Sequence, residues 1–306
     1  MRAVHARRFG GPEVLEVVDV PAPERPGPGE LLVRVEAAGV GPWDPAIVGG
    51  HLGTFGFPFT PGADLAGQVL AVGPGVDGFA PGDAVWAYPG LVGAWQEVVT
   101  VPATAAARRP RSIDGPEAGG MPVVALTAYQ GLVEVLDVQP TESVLITGAG
   151  GAVGSIAVQV GAWLGARVIG TASSDDHEWL GGLGATDVLD YGGPWLDQLR
   201  DLAYDGVDAV LDLVGGDALT EAVYATRDRG RVATTVVRDE VRTERGITVR
   251  WFGSKGTTAR LTTLASLVDT GSLQPTTGQL VPIERVAEAF DALRAPHRGK
   301  IVLTLD

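Results

Sequence analysis

The sequence predicts an α/β protein in which a mainly β, loop-rich domain accompanies a doubly wound parallel sheet. Three observations carry that prediction. An apolar run, 144–146, stops at Gly148, Gly150, Gly151 and Gly154, after which Ile156, Val160 and Leu164 recur at helical spacing. Apolar, β-branched segments then return at the repeat length of a βα unit, at 167–171, 187–190, 207–213, 230–236 and 247–252. Before them, short β-like pieces alternate with glycine- and proline-rich turns.

Taken in order, Val33 and Val35 alternate with Arg34 and Glu36, the pattern of a half-buried strand. Further β pieces follow at 65–72, 83–87 and 96–101. Turn signals separate them, including Pro26-Gly27-Pro28-Gly29, Pro61-Gly62, Gly73-Pro74-Gly75 and Pro81-Gly82-Asp83. In the second half, 194–202 and 217–226 read as helices between strands. Alternation of helices with continuously apolar strands implies a parallel sheet covered on both faces. The tail reads as a helix at 257–270, then a helix opened by Pro282 with Ile283, Val286, Phe290 and Leu293 on one face. A strand at 300–305 ends the chain, and it is able to return to the β domain.

Length and composition narrow the classes. A chain of 306 residues suggests about two domains with a sizeable core. The formal charge of −14, from 23 basic and 37 acidic residues, disfavours nucleic acid and anionic membranes as partners. The absence of cysteine excludes disulfides, thiolate zinc sites, iron–sulfur clusters and cysteine nucleophiles. No charge occurs from Val144 to Ala166, but Thr147, Ser155, Gln159 and the turn glycines interrupt the run, which argues against a membrane span. Arg2, Arg7 and Arg8 are not followed by an apolar stretch, so no secretory signal is read and a cytoplasmic location is expected.

The glycine turn points to chemistry. A strand–turn–helix unit lets backbone approach a pyrophosphate, and the helix start offers N–H groups and the positive end of its dipole. The spacing here is Gly148, Gly151, Gly154, not the stricter Gly-x-Gly-x-x-Gly. A glycine-rich turn of an unrelated α/β protein is the alternative. Ala152 and Val153 complete the turn, and Val214 is counted with the dinucleotide-binding residues.

Several segments, in their order and spacing, resemble one family. They are Ala37-Ala38-Gly39-Val40, Pro61-Gly62-Ala63-Asp64-Leu65-Ala66-Gly67, Pro81-Gly82-Asp83-Ala84-Val85 and Leu126-Thr127-Ala128-Tyr129. The glycine turn follows, then Leu183-Gly184-Ala185, Asp190-Tyr191 and Arg298-Gly299-Lys300-Ile301-Val302-Leu303. The chain resembles a zinc-independent medium-chain dehydrogenase/reductase of the quinone-oxidoreductase-like branch, which holds NADPH:quinone reductases and enoyl reductases. The resemblance implies a GroES-like domain over 1–122 and 266–306, a Rossmann domain over 123–265, and an active site in the cleft between them.

The resemblance also marks departures. Zinc members carry Gly-His-Glu where this chain has Gly62-Ala63-Asp64, and they carry a cysteine upstream. No catalytic zinc is therefore expected, and the expected acceptor is one that needs less Lewis-acid help: a quinone or an α,β-unsaturated carbonyl. Gly41 stands where relatives place asparagine, and Val48 and His51-Leu52 replace an arginine and a tyrosine, so a roomier, more apolar pocket is expected. Asp44 is retained, either as a positioning residue or as a turn carboxylate. His51 reads either as a proton donor to an enolate or as a solvated loop histidine. Trp43 with Phe55 or Phe57 forms a pocket wall or plain core.

For the cofactor, the second strand of the parallel series ends Gly170-Thr171-Ala172-Ser173-Ser174, without an acid at its tip. By resemblance, Ser173, Ser174 and Tyr191 would receive a 2′-phosphate, which favours NADPH, with NADH as the alternative. Asp175 and Asp176 lie in that neighbourhood, where a carboxylate facing a phosphate costs binding. Arg298 and Lys300 are candidate aids to the phosphate, although Lys300 also reads as a strand residue beside solvent. Thr127 matches a residue at the nicotinamide side, or caps a helix. Trp251 and Phe252 are candidate walls of the nicotinamide pocket, on a strand that in relatives pairs across a homodimer. The function expected is reduction of a quinone or enone. The alternatives are a biosynthetic enoyl reductase with a specialised substrate and a non-catalytic dinucleotide-binding sensor.

Overall fold

The structure is a computed structural model that describes residues 1–238, 241–295 and 297–305. It divides into two compact units. The first comprises Met1–Leu126, Lys255–Gly271 and Pro275–Asp306, and the second Thr127–Ser254 with Ser272–Gln274.

The first unit begins with an antiparallel pair, β1 (Arg2–Ala6) and β2 (Leu15–Asp19), which the sequence patterns above do not announce. The long β3 (Glu30–Val40) is followed by the short helix α1 (Trp43–Val48), then β4 (Leu65–Val72), β5 (Ala84–Ala87), β6 (Val98–Pro102) and β7 (Ala106–Arg108). β3 organises this sheet. It pairs antiparallel with β4 along one side, and its first half pairs with β6 on the other. Helix α2 (Gly115–Gly119) starts with a capping box formed by Asp114 and Glu117. Helix α3 (Pro122–Tyr129) follows it. The core gathers around Trp95, whose ring meets Phe290 edge-on at 6.0 Å and whose indole N–H donates to the Gly39 carbonyl at 3.1 Å.

The second unit carries β8 (Ser143–Ile146), α4 (Ala152–Trp163), β9 (Arg167–Ala172), α5 (His177–Gly182), β10 (Asp187–Asp190) and α6 (Trp195–Leu202). β11 (Val207–Asp212), α7 (Gly216–Ala225), β12 (Thr226–Thr234), β13 (Val241–Arg242) and β14 (Thr248–Trp251) complete it. The sheet order is β10-β9-β8-β11-β12-β14-β13, parallel except where β13 meets β14. Strand order thus reverses between β8 and β11, the place where a doubly wound sheet opens its ligand crevice. The strand at 248–251 is not the sheet's edge, because β13 covers it through Val241 and Arg242.

The chain then returns to the first unit with α8 (Thr258–Asp269), β15 (Thr277–Pro282), α9 (Val286–Arg294) and β16 (Lys300–Thr304). β16 pairs antiparallel with the second half of β3 and parallel with β15, so the last strand does rejoin the β domain's sheet. α8 lies whole in the first unit, where the sequence division cuts it at 266. The Thr258 hydroxyl donates to the Ala103 carbonyl at 2.9 Å, and the Asp269 carboxylate accepts from the backbone N–H groups of Arg111 and Ser112. No described helix is long and apolar enough to cross a membrane.

One buried carboxylate holds the C-terminal ends of three neighbouring strands. Asp212, fully buried at the end of β11, accepts from the Thr147 hydroxyl beyond β8 at 2.7 Å and from the Thr234 hydroxyl of β12 at 2.8 Å. It also accepts from the N–H of Gly215 at 3.1 Å, which shapes the turn into α7. Removing the carboxylate strands several buried donors together. Asp212→Ala should therefore lower unfolding free energy by about 3–5 kcal/mol in urea titrations. A loss under 1 kcal/mol would show that the strand ends hold without it.

Candidate functional site

At the turn between β8 and α4 each glycine has its own reason. Gly148 has φ +69°, a left-handed backbone that side-chain-bearing residues rarely adopt. Gly154 must lack a Cβ, because that atom would lie 2.2 Å from the Gly148 carbonyl oxygen, so the helix start rests directly on the turn. Gly151 differs: its Cβ would meet only that same oxygen, at 3.3 Å, a tight contact but not a clash. Gly151 is also the N-cap of α4, with no side-chain cap and no acidic residue in the first turn. The N–H groups at Ala152, Val153 and Gly154 therefore begin a helix whose first turn carries no acidic residue of its own. The turn is fixed from β9, since the Ala149 N–H donates to the Thr171 carbonyl at 2.9 Å. This donor set fits a pyrophosphate.

The ends of β9 and β10 gather the residues expected around the adenosine. Ser174 is exposed, and Tyr191 is 65% exposed with its N–H on the Ala172 carbonyl at 3.2 Å. Ser173 has a different engagement from the one expected: its hydroxyl donates to the Asp176 carboxylate at 2.9 Å. That carboxylate lies over the glycine turn, 2.8 Å from where a Cβ on Gly150 would stand.

Toward β11 and β14 the surface is apolar. Val214 is exposed and sits against Gly148, and Val236 is exposed beside Gly215. Trp251 is partly exposed, with the Arg238 guanidinium 5.3 Å from its ring centre. Phe252, expected in the same wall, is instead buried: its ring packs against Gly131 and its N–H donates to the Thr234 carbonyl. Thr127 is buried within α3 and does not cap it.

The first unit buries a charged cluster. Asp44 and Asp64 are fully buried, and Lys300 is 3% exposed. Lys300 is thus not a residue beside solvent, as the sequence allowed, nor is its ammonium open to a phosphate from solvent. Its Nζ lies 3.9 Å from Asp64 Oδ1 and 4.3 Å from the centre of the Trp43 ring. Asp44 accepts from the Gly41 N–H at 2.7 Å, and Asp64 from the Val123 N–H at 3.1 Å. Burial pushes the Asp44 carboxyl up to about 7, against the pull of the Gly41 N–H and of Lys300. Burial raises Asp64 as well, against the pull of Lys300. Glycines make the cluster possible. A Cβ on Gly39 would strike Asp64 Oδ1 at 2.3 Å, and one on Gly41 would strike the Trp43 ring at 2.4 Å. The room expected from glycine at 41 is therefore filled by Trp43.

His51 is exposed on the loop after α1, its N–H on the Ala46 carbonyl. Asp44 and His51 thus occupy opposite environments. Phe55 packs on Phe59 at the edge of the core, while Phe57 is exposed and meets Phe9 edge-on at 4.8 Å. Arg298 is exposed just before β16. Among the described residues, no three His, Asp or Glu side chains converge as a metal site would require.

Residues 27–111 match the alcohol dehydrogenase GroES-like domain, and residues 183–303 match the family described as zinc-binding dehydrogenase. The chain is 32% identical to the human mitochondrial NAD(P)H oxidoreductase RTN4IP1, over 91% of this chain and 82% of the relative. It is 27% identical to human quinone oxidoreductase, over 100% of this chain and 98% of that one. Among solved structures, an NAD-dependent alcohol dehydrogenase superposes with a TM-score of 0.92 at 34% identity, covering 100% of both chains. Mycobacterial Rv1454c complexed with NADPH superposes with a TM-score of 0.89 at 30% identity, covering 100% of both. The chain belongs to the medium-chain dehydrogenase/reductase family, in its quinone-oxidoreductase-like branch. It is accordingly an oxidoreductase with a GroES-like domain and a Rossmann-like parallel sheet.

In this family member the GroES-like match contains Asp44 and Asp64, and their burial has a measurable consequence. The folded Asp44 carboxyl holds a proton that the unfolded chain releases above its ordinary value of 3.8. The native state therefore binds more protons between 3.8 and about 7, and stability falls as pH rises through that window. Asp44→Asn removes this loss. Urea unfolding from pH 4 to pH 8 should show the variant gaining on the parent with rising pH, by up to about 4 kcal/mol. A pH-independent difference would contradict the assignment.

Proposed function

We propose that the protein is an NAD(P)H-dependent reductase of quinones or α,β-unsaturated carbonyl compounds that works without a catalytic metal. The observation that carries this reading is Gly151, a helix cap with no side chain, standing at the point where strand order reverses. A bound reduced nicotinamide supplies a hydride, which a conjugated acceptor takes at one end while charge develops on its oxygen. The chain's own residues do the rest. The first amides of α4 would hold the pyrophosphate, with Gly151 leaving room for it. Val214 and Trp251 would offer apolar surface to the nicotinamide end. In the first unit, Asp44 fixes the Gly41 N–H and is a positioning residue, because burial keeps it off solvent. His51, exposed on its loop, is the imidazole available to protonate an enolate.

The metal-free part of the reading rests on the donor set. Ala63 stands where zinc members place a histidine, and no cysteine exists in the chain. A conjugated acceptor fits because its charge can be met by hydrogen-bond donors in a dry site. Trp43, folded over Gly41, supports a specialised acceptor such as an enoyl group as the variant of this reading. A dinucleotide-binding sensor without turnover is the second reading, supported by the replaced asparagine and tyrosine. The relatives include one described as NAD-dependent and one complexed with NADPH, so the choice of dinucleotide lies with this chain's own residues.

Oxidation of NADH and NADPH against a panel of quinones and enones tests the proposal, with Gly151→Leu as the control. A Cβ there meets only the Gly148 carbonyl oxygen, at 3.3 Å, so a circular-dichroism check of folding accompanies the assay, and the folded variant should lose dinucleotide binding and turnover by at least about a hundredfold as the side chain occupies the pyrophosphate's place. Binding without turnover on any acceptor would favour the sensor. A folded Gly151→Leu protein that binds like the parent would remove the basis of both.

A further inference from the structure

We infer that Phe9 and Phe57 form a platform for the apolar part of the acceptor. The substrate is then a quinone or enone that carries a long apolar chain or a further ring, and not a small water-soluble one or a thioester on a phosphorylated carrier. The inference rests on the reductase reading and deepens it by naming the substrate class.

Three features lead to it. The first is adjoining aromatic surface in contact with water. Phe9 is 40% and Phe57 43% exposed. Their rings meet edge-on at 4.8 Å, Phe57 continues to Phe59 at 5.6 Å, and Phe59 to Phe55 at 5.3 Å. Phe59 is buried in the core of the first unit. The row of rings thus starts in the core and ends in two that face solvent. A lone exposed ring is ordinary, whereas neighbouring rings exposed together mark a surface that takes an apolar ligand.

The second feature is how the loop holds the rings. Gly50 has φ +78°, and a Cβ on it would lie 2.9 Å from Cγ of Phe9. Gly53 has φ +79°, and its Cβ would lie 2.7 Å from Cε2 of Phe55. Each of these rings therefore lies on bare backbone, at a residue whose conformation also favours glycine. Main-chain hydrogen bonds fix the two segments to each other. The Gly10 N–H donates to the Val48 carbonyl at 3.0 Å, and Ala6 and Phe59 exchange bonds of 2.9 and 3.1 Å. A platform ordered in advance loses little freedom when a ligand settles on it.

The third feature is location and charge. His51, the imidazole proposed to protonate an enolate, directly follows Gly50, the residue beneath Phe9. A reacting carbonyl at His51 would therefore leave the rest of its molecule beside the two rings. From Val35 to Ala107 the sequence contains no lysine or arginine. Two cations precede Phe9, and each has a carboxylate beside it. Arg7 pairs with Glu16 at 3.0 Å, and Arg8 and Glu13 converge at Gly10, where a Cβ would lie 3.2 Å from the Arg8 Nη1 and 2.9 Å from the Glu13 Oε1. A phosphorylated carrier would meet those carboxylates as well as the cations. An uncharged chain or ring asks only for the apolar surface.

The test is steady-state oxidation of NADH and NADPH by the full chain with three acceptors: a benzoquinone, the same benzoquinone bearing a decyl chain, and a short enoyl thioester of coenzyme A. The two quinones share one reacting group, so their KM ratio reports the contact made by the chain alone. The parent should show a KM at least about tenfold lower for the decyl quinone, because remote apolar contact acts on KM more than on kcat. Phe57→Ser, checked for folding by circular dichroism, should shrink that ratio by about fivefold or more, and Phe57→Leu, which keeps apolar surface, by less. A parent ratio under about twofold overturns the inference, as does a folded Phe57→Ser protein that keeps the parent's ratio. So does a higher kcat/KM on the thioester than on the decyl quinone. In those outcomes turnover is still observed, so the reductase reading stands and the platform falls. If the folded parent reduces none of the three, the reductase reading and this inference fall together.

Discussion

The Asp212 carboxylate is buried and satisfied by hydroxyls and amides gathered at the ends of three strands. Its placement sets the geometry of the glycine turn after β8 and of the turn before α7. Thr147, the residue that leads into the glycine turn, uses its hydroxyl to donate to Asp212 and to accept from the Leu213 N–H. Thr234 does the same for the end of β12, donating to Asp212 and accepting from the Val236 N–H. The turn after β8, the turn before α7 and the exposed Val214 and Val236 are therefore registered to one another. A parallel sheet leaves its strand ends to diverge with the twist. A polar tie at the ends holds adjacent loops close enough to present one surface to a ligand.

The two units handle buried charge in contrasting ways. In the second, Asp212 is met by several hydrogen-bond donors. In the first, Asp44, Asp64 and Lys300 share a space that Gly39 and Gly41 leave open and the Trp43 ring covers. Burial there raises both carboxyls, so proton affinity in this cluster lies closer to neutrality than in an exposed one. Asp44 accepts from the Gly41 N–H, which ties the cluster to the turn into α1.

Much of the fold was legible because it follows from local chemistry. The strands at 65–72 and 187–190 fall where alternation and β-branching put them, and the glycine turn follows from residue identity alone. The strand β15 was not legible: Thr277–Pro282 has three consecutive exposed residues and is recruited by its pairing with β16. Helix α3 hides for the opposite reason, since 123–128 is buried on every side and shows no period to read. The site divides in the same way. Gly148, Gly151 and Gly154 were readable as the turn between a strand and a helix. The part played by Asp212 was not, because its partners come from elements far apart in sequence. Asp176 was visible as a nearby acid, but its direction depends on the Ser173–Asp176 turn, a local hydrogen bond that competes with continuing the strand. The burial of Phe252 and Lys300 was not legible, because an aromatic residue or a lysine at a strand end reads alike whether it faces solvent or the core.

The central claim is that a dinucleotide rests on the start of α4. Amide hydrogen exchange of the intact protein, with and without saturating NADH, addresses it most directly. The account predicts slowed exchange in the peptide spanning 147–156, where the helix-start amides gain acceptors, together with slowing across 171–177 at the end of β9. Protection elsewhere in the chain with unchanged exchange in both segments would contradict it.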